Sequence, residues 1–365
     1  MKYNIIIFGT GSCCENLMSY LGNNINIIAY SDNDSSKIGL NYYNIEVIDP
    51  EKISSYNYDY IIIASGSEYE ILEQLIKMGI SEEKIFLFNT YFNLVKEELI
   101  FDNMIENCNT HISEFNCFAT GISYAYCGIN SEVCKDKLCK LCLPSQDLFY
   151  DYKLAQYFIK NNKVKIKYCI LGLCYYSFEY DLSLSKQKYC VNRYTKLIDD
   201  IHNYKYVDIV AYNKKMKIKD CLNNEQIKEY WIKYLQHLKI DSISNLSSND
   251  KRGKELAKID FNKKYPKTKQ ENKAILQEYL KLLQKNDINP IIVVFPASTY
   301  YTKYFSKKIE EEFRENIDEL LKQYRFKYLD YFRSNLFDDY DFCDVSHLNE
   351  KGSIKMMNIL NDIII

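Results

Sequence analysis

Short apolar runs alternate with helical segments twice along this chain, and that rhythm constrains the fold more than any other feature. Residues 5–8, 25–30, 60–64 and 84–88 read as strands, with helices predicted over 13–21 and 68–78. Strands separated by helices pair in parallel, so the consequence is a doubly wound sheet. A second series begins near Phe115, with strands predicted at 116–119, 140–143, 168–173, 291–295 and 327–331. Its helices follow the Gly121-Ile122-Ser123 turn, run to Lys160, cover 270–285 and 307–324, and resume after Asn349. Between about 180 and 270 the pattern loosens into polar, Lys/Asn-rich and mostly helical sequence, and the Ser, Asn, Asp and Gly of 244–253 predict an exposed loop there. The expected class is therefore α/β, with two three-layer domains. Residues 1–90 form the first, 91–111 a connecting helix, and 112–365 the second, which carries a helical insertion over 180–270. A chain of 365 residues has room for two or three such cores.

Charge narrows the partners. Lys plus Arg number 47 and Asp plus Glu 49, a net charge of −2 that supplies no general attraction for polyanions and excludes nucleic acid as the main partner. With 47% hydrophobic and 26% charged residues, the composition is that of a folding chain. The opening residues pass from one lysine into a strand and a glycine turn, without the apolar core and cleavage site of an export signal, and no run is long enough to span a bilayer. A cytoplasmic location is expected, with the 13 cysteines as free thiols. The 35 tyrosines, beside abundant Ile, Asn and Lys, read as the codon bias of an AT-rich bacterial genome and are assigned no function.

Gly9-Thr10-Gly11 follows the first strand and opens a helix at Ser12, the place where backbone N–H groups and a helix N-terminus receive a pyrophosphate. Asp32, at the end of the second strand, stands where an acidic residue bonds a ribose hydroxyl. Cys14 occupies the place of the third glycine. The segment, with Asp32-Asn33-Asp34 closing its second strand, resembles the small Rossmann-like domain at the front of sugar-modifying acyltransferases and nucleotide-sugar proteins. That resemblance covers about the first 90 residues. It implies a nucleotide, a sugar nucleotide or a dinucleotide, without choosing among them; a domain that keeps the fold and binds nothing is the alternative.

Near the end of the chain stands Asp344-Val345-Ser346-His347-Leu348-Asn349. A carboxylate three residues before a histidine can accept from one ring nitrogen and leave the other free as a base. Ser123, directly after a strand, supplies a nucleophile at the mouth of the sheet. The pair resembles the SGNH (GDSL-like) hydrolase and acyltransferase superfamily, with its flavodoxin-like sheet, over most of residues 112–365. Phe295-Pro296, Tyr300-Tyr301 and the late Asp-x-x-His bring it nearer the branch that modifies teichoic acids and polysaccharides. Carried over by position, Ser123 is the nucleophile, His347 the general base and acid, and Asp344 its orienting partner, with no cofactor required. The implied substrate is a small molecule or a glycan, and association with cell-surface polymer biosynthesis enzymes follows from the same resemblance.

Two positions depart from the family. Gly-Ile-Ser replaces Gly-Asp-Ser, and Gly172-Leu173-Cys174 replaces the block ending in asparagine, so a poorly donating thiol stands where an amide would bind the oxyanion. The expected oxyanion groups are the Ser123 N–H, the loop at Ser145-Gln146, Gly172 and the Cys174 position. Cys127, Cys134, Cys139 and Cys142 include an iron–sulfur-like spacing, yet their places on a helix and a buried strand argue for core packing, and no metal site is expected. His111, His202 and His237 read as surface or boundary residues, and the mixed charges from Lys251 to Lys273 as a solvated face. The leading expectation is a serine esterase or O-acyltransferase. Two others stand beside it: a non-catalytic scaffold of a glycan-assembly complex, and an NAD- or sugar-nucleotide-dependent enzyme centred on the N-terminal domain.

Overall fold

The computed structural model describes residues 2–203, 217–238, 243, 248–263, 265 and 267–364. It contains two sheets, and the α/β class expected from the sequence is what they form. In the first, β1 (Tyr3–Phe8), β2 (Ile25–Ser31), β3 (Asn41–Tyr42), β4 (Ile45–Ile48), β5 (Tyr60–Ile63) and β6 (Ile85–Leu87) lie in the order β3-β4-β2-β1-β5-β6. All neighbours are parallel except β3 and β4, an antiparallel hairpin turning at Tyr43 and Asn44, both at positive φ. The hairpin is absent from the sequence reading: β3 has only two residues, and in β4 the apolar run Ile45–Ile48 is broken by Glu46. Burial on both faces explains the unbroken isoleucine runs: Ile5, Ile7, Tyr30 and Ile62 pack into one cluster, and Ile6, Phe8, Ala29, Ile61 and Ile63 into the other.

The second sheet holds β7 (Cys117–Gly121), β8 (Leu138–Cys142), β9 (Tyr168–Leu173), β10 (Asn289–Val294) and β11 (Lys327–Asp330), in the order β11-β10-β9-β7-β8. Every pair is parallel. Numbered from its own first strand this is the 2-1-3-4-5 flavodoxin-like order, whose direction of winding reverses between β7 and β9. Ligands of such sheets bind at the carboxyl ends of the strands beside that reversal.

Two compact units result, one from Met1–Leu99 with Tyr204–Lys233, the other from Ile100–Asn203 with Tyr234–Ile365. The helix expected to link the domains runs Phe88–Thr110, and the boundary falls inside it. Residues 180–270 do not form one cap on the second unit. Ile218, Cys221, Leu222, Ile227 and Trp231 lie in a core cluster of the first. Gly22 N–H donates to the Cys221 carbonyl at 2.7 Å, Asn223 N–H to the Tyr20 carbonyl at 2.8 Å, and Trp231 Nε1 to the Phe92 carbonyl at 2.8 Å. A polar composition hides this, because only one stripe of the helix Asn224–Leu238 is apolar. Of the loop expected at 244–253, residues 244–247 lie outside the described residues. The remainder is helical from Asn249 with Ser248 at the N-cap, since the residues that favour loops also favour caps.

Trp231 is 7% exposed, and its ring centroid lies 4.8 Å from that of Phe92. Trp231→Ala should destabilise the first unit by about 3–5 kcal/mol, read by circular dichroism during urea unfolding. An unchanged transition would contradict this packing.

Candidate active site

Gly121 ends β7 with φ at +147°, and it stands in register with Gly172 of β9. A Cβ on Gly121 would lie 2.5 Å from the Gly172 carbonyl oxygen and 2.8 Å from Ala125 Cβ; one on Gly172 would run into the same Ala125. The two glycines therefore let the helix Ser123–Gly128 settle directly onto the strands. Extended Ile122 makes the turn, and Ser123 becomes the first helical residue, whose N–H has no acceptor within its own helix.

A pinched loop brings the histidine from the other end of the chain. Phe342 and Leu348 form an isolated bridge, and Cys343 N–H donates to the His347 carbonyl at 2.9 Å. Inside the loop, Asp344 Oδ1 accepts the N–H groups of Ser346 at 2.8 Å and His347 at 2.9 Å. Ser298 anchors the outside, donating from Oγ to the Val345 carbonyl at 2.7 Å. Asn349 Oδ1 then accepts Gly352 N–H at 2.9 Å where the last helix, Glu350–Ile364, begins.

The three side chains meet. His347 Nε2 lies 2.8 Å from Ser123 Oγ, and Nδ1 lies 2.9 and 3.0 Å from Asp344 Oδ2 and Oδ1. Burial alone would raise the Asp344 carboxyl, but the charge of His347 and the hydrogen bonds around it outweigh that and hold it well below the usual carboxylate range. Burial also disfavours a charged His347 ring, and the Asp344 carboxylate overrides it, leaving the ring above the ordinary histidine value. An ionised Asp344 on Nδ1 puts the free lone pair of a neutral ring on Nε2, facing the serine hydroxyl.

Several residues around these three were not read in the sequence as part of the site, although Tyr301 was noted there for the resemblance it carries. Tyr124 lies against His347 with ring centroids 5.1 Å apart, and its hydroxyl donates to that of Tyr301 at 3.3 Å. Tyr301 in turn donates to Asp260 Oδ2 at 2.8 Å, and Asp260 pairs with Lys263, whose Nζ lies 4.3 Å over the Tyr176 ring. Asp260 is 5% exposed, so the charged stretch read as a solvated face contains a buried ion pair. Its i, i+3 spacing was visible; its inward face was not. Some of the tyrosines set aside as compositional thus line the site.

The expected oxyanion groups are placed unevenly. The Cys174 N–H donates to Ser177 Oγ at 2.9 Å and its thiol lies 3.3 Å from the same oxygen, so both groups are already engaged. Gly172 sits inside the sheet, in register with Gly121 on one side and Val293 on the other. Ser145 is at positive φ, and its carbonyl accepts the Tyr180 hydroxyl at 3.2 Å. Next to the Ser298 anchor, a groove of about 720 Å³ is lined by Ser298, Asn335, Phe337, Asp338 and Tyr340 among others.

In the first unit, Gly9, Gly11, Ser12 and Asp32 share the lining of a cavity of about 490 Å³ at the carboxyl ends of β1, β2 and β5. Gly9 has φ at +108°, and a Cβ there would lie 2.5 Å from the Ala64 carbonyl oxygen. Asp32, expected to face a ribose, braces the turn itself: Oδ2 accepts from Thr10 N at 3.0 Å, Thr10 Oγ1 at 2.5 Å and Lys37 Nζ at 3.0 Å. Cys14, in the third-glycine place, is buried in the core.

The spaced cysteines do not converge. Cys127 lies beside Cys343, Cys134 beside Cys117 and Cys139 beside Cys108, while Cys142 is buried in β8. His111 is exposed and bonded to Glu114, whereas His202, read as a surface or boundary residue, is buried; the side chain of His237 lies outside the described residues.

Residues 1–86 match the family described as C2185-like, N-terminal, and residues 250–364 match the family described as DltD protein. No curated protein matches the chain. Similar solved structures include a UDP-D-quinovosamine 4-dehydrogenase from Vibrio fischeri, at 22% identity over 22% of this chain and 75% of that one, with a TM-score of 0.19. A protein described as an acylhydrolase from Bacteroides fragilis shows 9% identity over 68% of this chain and 85% of that one, at 0.33. A protein described as a platelet activating factor from Streptococcus pneumonia shows 12% over 81% and 99%, at 0.39. Among the described residues, no helix is long and apolar enough to cross a membrane.

Only the neutral form of His347 can take the serine proton, and its pKa lies above the ordinary value. Reaction of Ser123 with an activated ester should therefore rise with pH through a midpoint above about 6.5. Asp344→Asn removes the chief raising group, so the midpoint should move down while the rate falls about 10⁴-fold. A midpoint that stays in place would show that Asp344 does not control the ring.

Proposed function

We propose that the second unit is a serine esterase or O-acyltransferase that acts on a hydroxyl of a sugar or polyol belonging to a cell-surface polymer or its precursor. The observation that carries this reading is the continuous contact from Ser123 Oγ through His347 to Asp344. The match of residues 250–364, which include Asp344 and His347, to the DltD protein family supports it.

In the first half-reaction Ser123 Oγ attacks the acyl carbon as its proton moves to His347 Nε2, and the carbonyl electron pair moves onto oxygen. The Ser123 N–H, with no acceptor in its own helix, is the first candidate donor to that oxyanion, and the Ser145-Gln146 loop the second. Collapse re-forms the carbonyl and expels the alkoxide, which takes the proton back from His347. Water or an acceptor hydroxyl then repeats the sequence on the acyl-serine. Asn335, Asp338 and the exposed Tyr340 offer polar partners for a hydroxyl-rich acceptor in the neighbouring groove, beside the apolar surface of Phe337 and Phe342.

A fluorophosphonate or activated ester should add to Ser123, detected by peptide mass spectrometry. Ser123→Ala should abolish the adduct, and His347→Ala should slow it by about 10³-fold or more. Labelling of wild type and His347→Ala at equal rates would remove the reading.

We also propose that the first unit binds a nucleotide or sugar nucleotide, because the 490 Å³ cavity opens over the Gly9–Ser12 turn at the reversal of its sheet. UDP-sugars, CDP-polyols or NAD should raise the unfolding temperature, and Gly11→Asp should cancel the rise. No shift with any of them would reject ligand binding by this unit.

A further inference from the structure

Outside the serine site, the second unit contains a buried cluster of unlike ligand groups from separate segments. Asp147 caps the helix Leu148–Asn161, Asp181 caps the turn Leu182–Leu184, and His202 follows 20 residues after that turn's first residue in the chain numbering. The side chains of Asp147 and Asp181 are 0% exposed and that of His202 is 3% exposed. One ligand atom from each lies within 4.8 Å of the other two. His202 Nδ1 is 3.2 Å from Asp147 Oδ2 and 3.5 Å from Asp181 Oδ1.

We propose that Asp147, Asp181 and His202 form a binding site for a divalent transition-metal cation of the zinc class. The spacing is the first reason. A cation bonded at ~2.0–2.1 Å to tetrahedral nitrogen and oxygen ligands separates them by about 3.3–3.4 Å, which the two distances from Nδ1 bracket. The other ring nitrogen is the second. His202 Nε2 is buried with no hydrogen-bond partner among the described residues, and Glu271 Oε2 lies beyond it at 3.6 Å. With Nδ1 on the metal, Nε2 carries the proton and points it at a carboxylate, the usual support of a metal-bound histidine. Third, two fully buried carboxylates face a single imidazole, an excess of negative charge that a divalent cation would balance.

Neighbouring groups hold the ligands in place. Phe149 stacks on the His202 ring at 4.6 Å and 7°, and Asn203 Nδ2 donates to both Asp181 Oδ2 and Glu271 Oε2 at 2.9 Å. Backbone N–H groups of Leu182 and Ser183 orient the carboxylates. Water would supply the fourth ligand. A cation bound there would tie the segment that follows Ser145-Gln146 to the Asp181 turn.

The test uses the full chain, freed of metal by a chelator and titrated with Co²⁺. Thirteen cysteines make ligand identity the deciding readout. The expected result is about one tightly bound Co²⁺ per chain with visible ligand-field bands and no thiolate-to-cobalt charge-transfer band, together with a higher unfolding temperature. Asp181→Asn should lose this binding, and Glu271→Gln, which alters only the support of the ring, should weaken it by about 10- to 100-fold. If Asp181→Asn fails to fold, the wild-type spectrum still decides the ligand type. No bound cobalt, a thiolate band, or undiminished affinity in a folded Asp181→Asn would overturn the proposal.

Discussion

The contact of β7 with β9 at Gly121 and Gly172 is the constraint on which the second unit depends. With no side chain on either residue, Ala125 can lie directly over the strands, and the short helix that begins at Ser123 is drawn down onto the sheet. A Cβ at either position would push that helix outward and move Ser123 Oγ away from His347. Parallel pairing does the remainder. It aligns the carboxyl ends of β7, β9, β10 and β11 at one edge, so that residues far apart in the chain meet there.

The electrostatics of the site follow from that placement. Asp344 is held ionised by donors within its own loop and by His347, and the ring is in turn held by Asp344 and by packing against Tyr124. Behind Tyr124, the Tyr301–Asp260–Lys263 chain gives the aromatic wall polar partners, which a buried hydroxyl or carboxylate requires. Cys174 is likewise satisfied where it stands, its N–H donating to Ser177 Oγ and its buried thiol lying 3.3 Å from the same oxygen.

The first unit has its opening at the reversal of its sheet, whereas the groove of the second is lined by residues that follow β10 and β11, and the two units treat their acidic residues differently. In the first, Asp32 binds Thr10 and Lys37 and stiffens the glycine turn. In the second, Asp344 binds the histidine that faces the serine. A third group of carboxylates, around His202, faces neither opening.

Local pattern was enough to determine most strands and helices, the α/β class and the order of Ser123, Asp344 and His347, because period, glycine turns and a three-residue spacing are properties of adjacent residues. The β3–β4 hairpin escaped it, with only two residues in β3 and Glu46 interrupting β4, and the helix Asn224–Leu238 showed only a polar surface although Trp231 and Ile227 sit in the core of the first unit. His202 illustrates the remaining gap. Nothing next to it in the chain separates a buried histidine from an exposed one; its partners Asp147, Asp181 and Glu271 come from elements brought together only by packing. The same holds for Tyr124, Tyr301 and Asp260. Sequence determined which candidate reacting groups the chain possesses, and tertiary structure decided their neighbours, since burial and charge partners depend on contacts between distant segments.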